Sequence, residues 1–200
     1  VFVEAAYIAP AEACRHLLRL FRGNSDGLRS LLVKESSWRL LGFLREALSE
    51  DDARKDALEA LVEASITDGE GEMSGRPVAG RFFLPYWTSL AWWDPPVPLA
   101  ERLAFASGLA TSDDAARRRL GVRCCEAALA LHPFDVVSPT GRLRRPVPVD
   151  RSIPYSEIRE YYAGVVNLLR ERLGDPDARV AAGARDSLAG GLRSFLRAGV

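Results

Sequence analysis

The chain has few of the side chains that bind metals or attack substrates: two histidines, His16 and His132, and three cysteines, Cys14, Cys124 and Cys125. His16 and Cys14 stand two residues apart in a helical pattern and so point about 200° apart, which excludes a shared metal by local geometry. His132 has Cys124 and Cys125 near it in sequence, but a metal there needs a further ligand from afar. A helix-terminal histidine and small buried cysteines are the simpler reading. An odd thiol count with two vicinal members gives no disulfide framework and fits a reducing cytosol. No Gly-x-Ser-x-Gly elbow, His-Glu metalloprotease pair or Gly-Lys-Ser/Thr phosphate loop occurs. Neither catalysis, nor a cofactor, nor a metal is therefore expected.

Net charge is also missing, with 27 basic residues against 27 acidic ones. No global field draws nucleic acid or an anionic membrane, so either partner would need a local patch. Lysine is nearly absent, with Lys34 and Lys55 alone, while arginine and alanine abound, a bias like that of high-GC bacterial coding sequences. No apolar run approaches a membrane span and no basic region precedes one, so a soluble, cytoplasmic protein is expected. The 48% hydrophobic and 27% charged content is that of a globular chain. The chain opens at Val1 inside an apolar pattern, carries Met73 as its one methionine and stops at Val200 after a helical pattern; a piece of a longer polypeptide is expected.

What is present is helical periodicity. Ile158, Tyr161, Tyr162, Val165, Leu168, Leu169 and Leu173 recur at three- and four-residue steps and predict one long helix ended by Gly174. Asp175 is the expected cap of the next helix, Pro176 suits its first turn, and Val180, Ala184, Leu188, Leu192 and Phe195 form its stripe. Upstream, Cys14, Leu17, Leu18 and Phe21 share a face of a helix starting at Ala11. Short helices follow around Leu28 to Val33 and after Ser36-Ser37, and another, begun by Ser49 and Asp52, carries Ala57, Leu58, Leu61 and Val62. Leu99, Leu103, Ala106 and Leu109 predict the next, and Ser112-Asp113 the cap of one burying Ala116, Leu120, Cys124, Ala127 and Leu131. Short connections favour antiparallel hairpins. Two stretches break the pattern: residues 67–81, rich in glycine, and residues 133–153, rich in proline and arginine. Neither stripe of a hairpin can be hidden alone, so hairpins should stack side by side in an all-α fold.

The segment Asp175-Pro176-Asp177-Ala178-Arg179-Val180-Ala181-Ala182-Gly183-Ala184 resembles one unit of a HEAT-type α-solenoid. The resemblance implies stacked antiparallel helix pairs forming an irregular solenoid over residues 1–200, and an inner ladder of Asp and Arg carried over only to Asp177 and Arg179. The mix of irregular helical units, aromatic inserts and Arg/Ala-rich composition also resembles the C-terminal sensor regions of bacterial STAND-type ATPases of signalling and antiviral defence. That second resemblance implies an ATPase elsewhere in the chain.

Two groups are candidate partner-binding sites. The aromatic stretch from Phe82 to Trp93 reads as a short helix, and Tyr86, Trp87, Trp92 and Trp93 could stack on bases or grip a partner, or else fill core space. Arg142, Arg144, Arg145 and Arg151 could bind an anion, or cap helix ends and pair with carboxylates. Arg117, Arg118 and Arg119 point in three directions of one helix and cannot all line one groove. HEAT-like DNA glycosylases use tryptophans and an aspartate on a basic surface, which would assign Trp92, Trp93 and Asp94 here. The expected function is non-catalytic recognition of a protein partner, or of other domains of the same chain, by a scaffold or sensor segment. Nucleic-acid binding is the competing class.

Overall fold

A computed structural model describes residues 6–23, 37–67, 87–88, 97–130 and 153–198. Every regular element among them is a helix, with no strand, so the all-α expectation holds there. The chain divides into two compact units; the described residues of the first lie within Val1–Leu84, those of the second within Pro85–Val136 and Pro146–Val200.

The first unit holds α1 (Pro10–Arg22), α2 (Ser37–Ala47) and α3 (Arg54–Thr67). Helix α1 starts one residue earlier than its pattern suggests, because Pro10 has no N–H to lose in a first turn. It buries Ala11, Cys14, Leu17, Leu18 and Phe21. Helix α3 packs against both α1 and α2 and is buried on several sides, through Ala57, Leu58, Ala60, Leu61, Val62 and Ala64. Small side chains let two neighbours approach it at once. Arg15–Asp56 (3.6 Å), Arg22–Glu59 (3.4 Å) and Arg22–Glu63 (3.8 Å) flank the α1–α3 contact. With the arginines more than half exposed, each pair adds less than about 1 kcal/mol, so apolar burial holds the contact.

The second unit holds α4 (Leu99–Ala110), α5 (Ala115–Leu129), α6 (Tyr155–Arg172) and α7 (Ala178–Ala198). Helix α4 packs on α5 and α6, α5 on α7 and α6, and α6 on α7. Glycine stands at three of these crossings, α4–α5, α4–α6 and α5–α7, and lets the helices come close there. A Cβ on Gly121 of α5 would lie 2.4 Å from the Ala110 backbone nitrogen, and one on Gly191 of α7 2.8 Å from Leu129. On α6, Gly164 faces Leu103 in the same way.

Several local expectations are corrected. The cap of α5 is Asp114, one residue beyond Ser112-Asp113: its Oδ1 accepts from the Ala116 N–H at 2.8 Å. The cap of α7 is Asp177, whose Oδ1 accepts from Arg179 N–H (2.9 Å) and Val180 N–H (3.1 Å). Asp175 instead accepts from the Asp177 N–H at 2.9 Å, which folds the turn before the helix. Pro176 therefore precedes α7 rather than opening it. The stripe of α7 is also displaced: Val180, Ala184, Ser187 and Gly191 are buried, and Leu192 is 62% exposed. Short side chains face α5 because the two helices are so near. The expected helix around Leu28 to Val33 and Leu131 of the α5 stripe lie outside the described residues, as does the side chain of Phe195.

Candidate functional site

The aromatic candidate resolves at Trp87 and Thr88, in a short turn packed into the second unit. Trp87 has no exposed surface, so its ring cannot stack on a base or a partner without unpacking the core. Its neighbour is unusual: Arg102 of α4 is 4% exposed and sits with its guanidinium carbon 5.9 Å from the ring centroid. That geometry gives the buried cation the aromatic face as a partner. The rest of the turn is fixed by two bonds of 2.6 Å. Thr88 Oγ1 donates to the Cys124 carbonyl of α5, and the Tyr161 hydroxyl of α6 donates to the Thr88 carbonyl. Residues 87–88 thus join α4, α5 and α6. Burial raises the Tyr161 phenol far above its ordinary value, as it does the Cys124 thiol, and pushes Cys125 up to about 12. These groups stay neutral donors or apolar filling, not nucleophiles. Tyr86, Trp92, Trp93 and Asp94, with Arg142, Arg144, Arg145 and Arg151, lie outside the described residues.

A polar centre that the sequence reading missed lies at one end of the second unit. Arg118 of α5 donates from Nη1 to the carbonyls of Ser112 (3.0 Å) and Asp113 (2.8 Å), closing the α4–α5 turn. From Nη2 it donates to Asp175 Oδ1 at 3.1 Å, and its Nε lies 2.9 Å from Oδ2. The Asp175 carboxylate is fully buried and also meets Arg172 at 3.5 Å. Next to it, Arg119 donates to Asp177 Oδ2 at 3.0 Å. The Asp177 carboxyl is held below the usual aspartate range, first by the Val180 backbone N–H and further by Arg179 N–H and the nearby arginines. Two of the three consecutive arginines therefore do converge, on the α6–α7 turn. Asp177, one of the two residues to which the HEAT resemblance carries its inner ladder, accepts from the Arg119 side chain and from the backbone N–H of Arg179, the other.

The two turns are built alike. Ser112 Oγ accepts from Asp114 N–H and Asp114 accepts from Ala116 N–H, as Asp175 accepts from Asp177 and Asp177 from Arg179. An Asp-Ala pair also stands just before α3, as Asp52-Ala53, one residue further from the helix start than in the other two turns. That recurrence was readable from spacing, but only once the capping residue, rather than the apolar stripe, is used to align the helices.

The outward side of α5 and α7 mixes signs: Arg123 and Arg193 lie among Glu126 and Asp186, and burial first, then Asp186, raises the Glu126 carboxyl against the opposing effect of Arg123. Among the described residues no group of His, Cys, Asp and Glu could hold a metal ion, and no helix is long and apolar enough to cross a membrane. No protein-family model, curated protein or solved structure matches the chain.

Proposed function

We propose that this chain is a helical-repeat recognition segment, an irregular α-solenoid that offers a shaped surface to a protein partner or to other domains of the same polypeptide. The observation that carries the reading is the packing of one hairpin on the next in the second unit. Helix α4 lies on α6 and α5 on α7, with Arg118 and Arg119 of the first hairpin bound to the turn of the second. Repeated contacts of this kind give a row of helices held by neighbours alone, which suits extended recognition surfaces. Recognition would work by shape, from rigid pairs fixed at their turns, inside a cytoplasmic bacterial protein. In the STAND-type setting that the sequence resembles, partner binding would bias a switch located outside this segment.

The competing reading is a nucleic-acid-binding HEAT-like domain, including a glycosylase-like enzyme. The mixed charge along α5 and α7 and the zero net charge favour the protein partner. A fluorescence-anisotropy titration of labelled duplex DNA at about 50 and 200 mM salt separates the two, because phosphate contacts release counterions. Binding is expected to be absent or insensitive to salt. A fall in affinity of about a thousandfold between the two conditions would establish a phosphate-binding groove and overturn the proposal.

A further inference from the structure

We draw no further inference here: the strongest candidate, the surface patch of Tyr155, Leu173 and Leu192 at the ends of the α6–α7 hairpin, carries nothing, because half-buried side chains separate these residues and nothing in the structure shows what covers them.

Discussion

Replacing Asp175 by alanine tests whether the polar centre of the second unit holds its hairpins together. The carboxylate is fully buried, accepts from Arg118 Nη2 at 3.1 Å and from the Asp177 N–H at 2.9 Å, and touches Arg172 at 3.5 Å. Its Oδ2 meets Arg118 Nε at 2.9 Å as a charge contact without hydrogen-bond alignment. Removing one member of a buried pair costs about 3–5 kcal/mol, because the other charge is left without its counterion. Arg118 keeps its two carbonyl acceptors, and Arg172 is partly solvated, which places Asp175→Ala near the lower end, about 3 kcal/mol. Asp175→Asn keeps an oxygen for the Asp177 N–H and should lose roughly half as much. For a unit of about 100 residues, 3 kcal/mol corresponds to a drop in Tm of roughly 12–24 °C. Urea unfolding followed by far-ultraviolet circular dichroism measures all of this. The double variant Arg118→Met/Asp175→Leu should be more stable than the sum of its single changes by at least about 1 kcal/mol. A loss under about 0.5 kcal/mol for Asp175→Ala, or additivity in the cycle, would refute the reasoning.

Four further outcomes follow from the same packing. Gly121→Ala would put a methyl group 2.4 Å from the Ala110 nitrogen and should cost about 2–3 kcal/mol, whereas Gly190→Ala, with nothing within 4 Å, should gain about 0.5–1 kcal/mol in the same unfolding assay. Tyr161→Phe removes the hydroxyl that donates to the Thr88 carbonyl in the core, and a loss of about 1–2 kcal/mol is expected. Cys14 and Cys125 are both pushed up to about 12 by burial, and Cys124 higher still; at pH 8 a thiol-specific chromogenic reagent should label them only as fast as the protein unfolds. Asp177 has a lowered folded-state pKa, so its stabilising contribution is whole above the unfolded value of about 3.9 and is lost as pH falls through the lower folded one; Asp177→Asn should flatten that acid limb in a pH series of unfolding curves.

Helix existence and order were legible because burial imposes a period on the sequence. Tyr161, Val165 and Leu169 are buried as their spacing implies, and so are Leu17, Leu18 and Phe21. The stripes nonetheless named more residues than the neighbours cover. Leu173 and Leu192 belong to apolar rows but remain in contact with solvent, since a periodic pattern records which side chains are apolar and not whether something lies over them. Caps were missed by one or two residues wherever two candidates stood close together. In Asp175-Pro176-Asp177 the first carboxylate folds the turn and the second caps the helix, a division of work visible only in the hydrogen bonds. Arg102 had no signal at all, because its partner, the Trp87 face, comes from a different stretch of the chain.

The glycines and the arginines of the second unit do different jobs, and the difference explains how this packing can be specific. Gly121, Gly183 and Gly191 bring backbones together, but smooth surfaces of glycine and alanine permit one helix to slide along another at little cost. Register must come from directional groups at the ends. Arg118 and Arg119, four and five residues beyond the Asp114 cap, supply it by gripping Asp175 and Asp177 of the next turn. At the corresponding distance beyond the Asp177 cap stand Ala181 and Ala182, which can grip nothing. The α6–α7 hairpin therefore carries no second copy of this arginine device at those positions.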